Sequence, residues 1–424
     1  MLLIFFDARK TELTVLGTDK GKPRAPRNIW MRSEAGVSLH SGRIAMRIMA
    51  FLAAMAAVIV TGLVLSSRYE VQAGEVVSGS DYKVLSPIRH GNLTVFPVVA
   101  TNSHDTHVFL TLDEGLKSGE VEVTESGRVG GMVRRRQSGV LNTPYPVRNG
   151  AQVNKLVLVN NSKRPLILLA GEIVTGGKQD RVIGKDRIVP ADSDPIDLDV
   201  FCVEPGRWVG SSEKFVFGSV SGGMAAPAVR GKAMADKDQQ KVWAEVGKAE
   251  EGMENELRSP TLAQSVPAPA AAMEVESTTS YARVMQNDEV KSRVDSMARP
   301  IEQEYQSTIQ QLRDRNALGV VVAVNGEIVW ADIFASTNLL EKYWPKLVRS
   351  YASEAVVTRA KGAQASEKAA QAFLENLHGR HETVDSEPGI YRHTEVSGDG
   401  FKAFELTSLL PKTGFAVHVA KMAD

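Results

Sequence analysis

The sequence has a single cysteine, Cys202, in 424 residues, and one thiol cannot build a disulfide framework within a chain. It also lacks any excess of charge, since Lys plus Arg and Asp plus Glu both total 50. Without net charge there is no broad field to hold nucleic acid. No internal repeat is visible, and with 43% apolar and 24% charged residues the composition is ordinary for a globular protein. Collagen-like, coiled-coil and wholly disordered classes are thereby excluded. Standard catalytic and nucleotide signatures are missing as well. Gly177-Lys178 looks like part of a phosphate loop, but the first glycine would have to stand where Glu172 is, and Gln179 replaces the required Ser or Thr. Ser221 has Ser219 where a hydrolase elbow needs glycine, and His381-Glu382 leads to Asp385, not to a second histidine. His104 with His107, and His378 with His381 and His393, lack a diagnostic metal spacing. Neither a metal nor a cofactor is expected.

What the chain does have is an uneven start. Residues 1–73 carry ten basic and five acidic side chains, leaving 40 and 45 for residues 74–424. From Ile48 to Ser67 no residue is charged, and Arg43 and Arg47 directly precede that run. A basic segment followed by an apolar one reads as an export signal. Val71 and Ala73 supply the small residues of a cut before Gly74, as in a cleaved signal peptide. The length of the run, near the roughly 20 residues that span a bilayer, fits a retained anchor instead. Either way the body lies outside the cytoplasm, periplasmic or secreted, with membrane contact through Ile48–Leu65 if the segment stays. Residues 46–73 are therefore signal peptide or membrane anchor. Residues 1–45 read as unstructured or as a mis-assigned start, since Met31 and Met46 would each begin a more ordinary signal.

Residues 82–217 form a β-rich half. Short apolar or alternating runs predict strands at Leu93–Ala100, His107–Leu112, Glu120–Glu125, Val153–Asn160, Leu166–Val174, Arg187–Val189 and Asp197–Glu204. Turn residues separate them, which suggests a sandwich or an open barrel. Cys202 shares an apolar face with Ile196, Leu198 and Val200, as a buried structural thiol would. Residues 218–285 hold a helix over Asp236–Glu254 and an Ala/Pro/Ser surface linker over Leu262–Thr279. Residues 286–424 form an α+β half. It begins with a helix marked by Val290, Val294, Met297, Ile301 and Tyr305 that Pro300 should kink or divide. A hairpin turns at Asn325-Gly326, a pair that tolerates positive φ at both central positions. Helices capped by Ser336 or Thr337 and by Ser366 follow, then strands at Lys402–Thr407 and Gly414–Val419. The fold class is α+β.

Polar residues concentrate at the strand ends of the first half: Glu172, then Gly176, Gly177, Lys178, Gln179 and Arg181, and later Glu204, Arg207 and Trp208. Two glycines let a ligand approach the backbone, Lys178, Arg181 and Arg207 suit an anion, and Trp208 offers a stacking face. The alternative is that Arg181 and Arg207 pair with Glu172 and Glu204 and merely brace the turns. In the second half Asp332 ends the hairpin. Trp344, Leu347 and Tyr351 share a helical face that packs on it, and Lys346 and Arg349 project together as anion contacts or a solvated edge. Glu172, Glu204 and Asp332 are the candidate acids for general acid/base work.

The run Gly171–Trp208, the stretches Pro227–Arg230 and Gln240–Trp243, and the run Val320–Ala355 together resemble the ARG and rhodanese-phosphatase-superfamily-associated protein domain, a bacterial domain of unknown function. The resemblance spans about Leu93 to Val419. It implies that the β-rich and α+β halves belong to one composite domain, and a link to ADP-ribose or nucleotide-type ligands. The expected function is an exported noncatalytic binding or interaction domain for an anionic small molecule of nucleotide, ADP-ribose or glycan type. A hydrolase of a nucleotide-derived or glycosidic bond, and a structural envelope protein, are the alternatives.

Overall fold

The computed structural model describes residues 81–126, 151–210, 214–217, 223–260, 266–312, 315–375, 379 and 381–424, which all belong to the unit Val71–Asp424. Residues 1–45 and the apolar run within 46–73 lie outside the described residues, as does His378. The first half holds β1 (Lys83–Val84), β2 (Ile88–His90), β3 (Leu93–Ala100), β4 (Leu110–Thr111), α1 (Leu112–Ser118), β5 (Val121–Glu125) and β6 (Lys155–Asn160). It continues with β7 (Leu166–Leu168), β8 (Ile173–Thr175), β9 (Arg181–Ile183), β10 (Arg187–Val189), β11 (Ile196–Cys202) and β12 (Val216–Phe217). Helices take over with α2 (Pro227–Gly231), which runs into a π turn over Lys232–Asp236, then α3 (Gln239–Arg258), α4 (Pro269–Glu276), α5 (Tyr281–Gln286) and α6 (Asp288–Gln310). The last part comprises β13 (Asn316–Val324), β14 (Glu327–Phe334), α7 (Thr337–Val357), α8 (Glu367–Glu375), β15 (His381–Glu387), β16 (Tyr391–Gly398), β17 (Phe401–Ser408) and β18 (Ala416–Ala423).

The two halves share a sheet. β3 from the first half pairs along its length with β13, inside a nine-stranded sheet ordered β1-β3-β13-β14-β18-β17-β16-β15, with β2 also on β3. Both faces of β3 and β13 are covered. Val95, Val320 and Val322 pack toward the helices, while Phe96, Val98, Leu318 and Val321 pack toward Ala370 and Leu374 of α8. A six-stranded sheet ordered β12-β8-β9-β11-β6-β5 curls around its own core of Val123, Leu158, Ile183 and Val200. Phe215, next to β12, donates to the Val123 carbonyl of β5 at 3.0 Å, so the two ends of this sheet come together. A short sheet, β10-β7-β4, completes the half. The fold is α+β and forms one composite domain. Among the described residues no helix is long and apolar enough to cross a membrane.

Local chemistry explains most of the elements. Asn325 and Gly326 both take positive φ, +53° and +80°, and turn β13 into β14. Ser336 caps α7 by accepting from the Leu339 N–H at 3.0 Å. α6 runs through Pro300 as one helix, so Pro300 does not divide it. Proline in a helix interior costs about 3 kcal/mol, but Met297, Ile301 and Tyr305 are each fully buried around it, at roughly 1.5–3 kcal/mol apiece. The stripe outweighs the missing hydrogen bond. Three other expectations are corrected. The strand foreseen over His107–Leu112 is only Leu110–Thr111, because Thr111 and Glu114 form a reciprocal capping box that starts α1. Leu166–Val174 divides into β7 and β8 at a buried turn, where the Glu172 side chain accepts from the Leu169 N–H at 2.7 Å. Within the supposed surface linker, Pro269 starts α4, which buries Ala272 and Val275.

Candidate functional site

The β8–β9 turn and the loop after β11 meet at one end of the curled sheet. Gly176 and Gly177 take φ of +122° and +51°, which frees the turn from the constraint on L side chains. The Gly176 N–H donates to Asp180 Oδ1 at 3.0 Å, and the Lys178 N–H donates to Glu125 Oε1 at 2.8 Å. Gln179 Nε2 reaches the Glu204 carbonyl at 3.1 Å, and the Asp180 N–H reaches Glu204 Oε2 at 3.0 Å. Arg207 closes the junction by donating to the Gly177 carbonyl at 3.1 Å. Its guanidinium also binds Glu204 at 2.6 Å through Nε and lies 3.5 Å from Asp180. Asp180, held by the Ser280 hydroxyl at 2.7 Å, has its pKa raised, first by burial. Lys178 lies over the Trp208 ring, 4.9 Å from its centroid, and Trp208 is 41% exposed.

The members of the expected cluster therefore stand at different depths. Lys178, Arg207 and Trp208 reach water, and Gly176 partly does. Gln179 and Gly177 are buried. Arg181 is fully buried, its Nε donating to the Val153 carbonyl at 2.8 Å. The ion-pair alternative is met at Arg207 with Glu204, but Glu172 pairs with Lys346 at 2.7 Å, not with Arg181. Cys202 is buried behind this junction, where burial pushes its thiol pKa up.

The three candidate acids lie away from solvent. Glu172 and Asp332 are 0% exposed and Glu204 is 3% exposed. Lys346, foreseen as an anion contact or solvated edge, is buried between Glu172 and Asp113, 3.1 Å from the latter. Burial works against its charge, but the two carboxylates outweigh that and hold its pKa above the ordinary value. Arg349 instead pairs with Asp295 at 2.9 Å. Asp332 receives Arg230 on both oxygens, at 2.9 and 3.0 Å, and the Tyr351 hydroxyl on one of them. His418 Nε2 lies 3.1 Å from Asp332, and its Nδ1 lies 2.6 Å from Asp186. An imidazole with both nitrogens against carboxylates donates from both, so it carries a proton on each. Burial opposes that charge, yet Asp186 and then Asp332 raise the His418 pKa to about 9. Against the same burial, the Arg230 guanidinium holds Asp332 well below the usual carboxylate range.

Arg230 and His418 were not anticipated as partners of Asp332, nor Asp186 as the partner of His418. The signal for His418 was local, an ionisable residue between Val417 and Val419 in an otherwise apolar strand, whereas Asp186 stands between Lys185 and Arg187 and gave none. Of the histidines singled out, His104 stacks on Phe415 at 4.2 Å and His107 is exposed beside Asp105. His393 is buried with neither ring nitrogen hydrogen-bonded. Among the described residues no three His, Cys, Asp or Glu side chains gather as metal ligands would.

These features define a composite α+β domain with ionic locks in its core and a polar loop junction at its surface. The chain belongs to the ARG and Rhodanese-Phosphatase-superfamily-associated Protein domain family, whose model matches residues 81–422. No curated protein and no solved structure matches the chain.

Proposed function

We propose that the chain is an exported, noncatalytic binding module whose ligand is an anionic small molecule of nucleotide, ADP-ribose or glycan type. The observation that carries this reading is the junction of the two loops, where Trp208 is 41% exposed beneath the Lys178 ammonium at 4.9 Å. An exposed indole with a cation at its face suits a flat or ring-bearing ligand that also carries negative charge. Arg207 is already paired with Glu204 and Asp180, so the anion contact falls chiefly to Lys178. The family's description names an association with ARG and rhodanese-phosphatase proteins, in keeping with a module that serves neighbouring chemistry. A hydrolase would need an acid or base open to substrate, and Glu172, Glu204 and Asp332 are buried in ion pairs. Export rests on Arg43 and Arg47 before the uncharged run from Ile48.

The test is calorimetric titration of the full chain with ADP-ribose, AMP and glucose 1-phosphate. Saturable heat with at least one of them is expected, together with its loss in Trp208→Ala and Lys178→Ala. No heat with any of the three, or equal heats in the variants, overturns the reading.

A further inference from the structure

A cavity lies elsewhere in the fold and shares no residue with the loop junction. It has a volume of about 550 Å³, within the roughly 300–1,000 Å³ typical of small-molecule sites. Its walls come from the end of α6, the start of β13 and the first turns of α7. Tyr305 and Ile309 face it from α6, one helical turn apart, and Leu340 and Trp344 do so from α7. The Tyr305 and Trp344 rings pack against each other with centroids 4.3 Å apart. The lining therefore sets this aromatic pair beside the polar side chains of Gln306, Gln310 and Arg315.

One feature of this cavity asks for a ligand with a negatively charged end. Arg315 lines the cavity and is exposed, and among the described residues no carboxylate is paired with it. Thr337 opens α7 at the same wall, and the N-terminal end of a 21-residue helix favours negative charge. Glu341, the acidic side chain on the lining, opposes an anion and restricts where one can sit. Pro345 has no N–H, so the Glu341 carbonyl beside the cavity lacks its usual helical donor.

We propose that this cavity binds a small anionic amphiphile, an aromatic or aliphatic body seated against Tyr305, Leu340 and Trp344 with a carboxylate or sulfonate held by Arg315. The inference is independent of the loop junction. A variant that empties one site leaves the other intact.

The probe is 8-anilinonaphthalene-1-sulfonate, titrated into the full chain and followed by its own fluorescence. One saturable site per chain is expected. Arg315→Gln weakens it by about tenfold, as loss of a charged hydrogen bond does. Gln306→Trp, on the exposed face of α6 at the cavity wall, fills the space and weakens it by at least as much. Both positions are exposed, so the circular dichroism and melting temperature of the variants should match the wild type. Decanoate displaces the probe and decanol does so much less well. Equal probe affinity in wild type, Arg315→Gln and Gln306→Trp overturns the site, and equal displacement by decanoate and decanol overturns its preference for an anion.

Discussion

Two groups of charged residues in this domain have opposite surroundings. Around Asp332, the side chains of Arg230, His418 and Asp186 are fully buried, joining the turn after β9, helix α2 and strands β14 and β18. At the loop junction, the Arg207 side chain keeps 19% exposure while it binds Glu204 and Asp180. An arginine–aspartate contact occurs in both. The difference lies in how far water reaches: every member of the first group is sealed from it, whereas at the junction the carboxylates of Glu204 and Asp180 are buried but one edge of Arg207 stays wet, and a charge left without its partner costs most where no solvent can compensate it. The first group is thus an obligatory join within the core, and the second leaves side chains available at the surface.

Removing Asp332 tests the contrast most severely. Asp332→Ala leaves Arg230 and His418 charged in the core and should lower the unfolding free energy by about 3–5 kcal/mol. Urea denaturation of both proteins measures this. A loss below about 1 kcal/mol would place this join with the surface pairs.

A pH series comes next in size. The His418 pKa is raised from 6.5 to about 9, so the stabilisation it brings is complete below about pH 6.5 and disappears as pH rises through 9. The groups facing it are Asp186 and Asp332, with Arg230 and Tyr351 behind Asp332 and His393 near Asp186. The whole effect is at most roughly 3 kcal/mol. Melting temperature should fall between pH 7 and 9.5, and His418→Gln, with no imidazole to titrate, should flatten that slope. An unchanged slope in the variant would assign the titration to another group.

Glu250 offers a gentler comparison. Burial raises its pKa to about 7, and its Oε1 has no hydrogen-bond partner. Its stabilisation is complete below about pH 4.5, the ordinary value, and is lost as pH rises through 7. Because the site is partly hydrated, the cost at pH 8 is about 1 kcal/mol. Glu250→Gln should raise the melting temperature at pH 8 and leave it unchanged at pH 4, as calorimetric scans at both values would reveal.

The smallest effect belongs to the surface group. Trp208→Ala should alter stability by less than about 0.5 kcal/mol, in contrast to its expected abolition of ligand heat. A large destabilisation would mean that the indole braces the loops.

The elements legible in advance are those whose signal is local. β3, the β13–β14 hairpin and α7 follow from runs of β-branched residues, an Asn-Gly pair and a serine cap, all within one element. α1 carried its capping box in plain view at Thr111 and Glu114, but Leu110 and Leu112 beside it read as strand. β15 and β16 went unforeseen because β15 is an edge strand with charged residues at Glu382, Asp385 and Glu387, where alternation has no buried face to follow. At the candidate site the convergence of the two loops was foreseeable as an expectation. The depth of Arg181 and the partners of Lys346 were not, since each depends on which residues the neighbouring elements present.

By itself the amino-acid order determined the α+β class, the turn at Asn325-Gly326, the helix caps and the membership of a family, because each depends on residues a few positions apart or on a pattern carried along the chain. Only the tertiary structure decided that Asp332 meets Arg230 and His418, that Arg181 is enclosed, and that Tyr305 and Trp344 line a cavity. Those contacts join residues tens to hundreds of positions apart, and strand register and helix packing set them. Burial then determines whether a given charge acts as a lock in the core or remains open to a ligand.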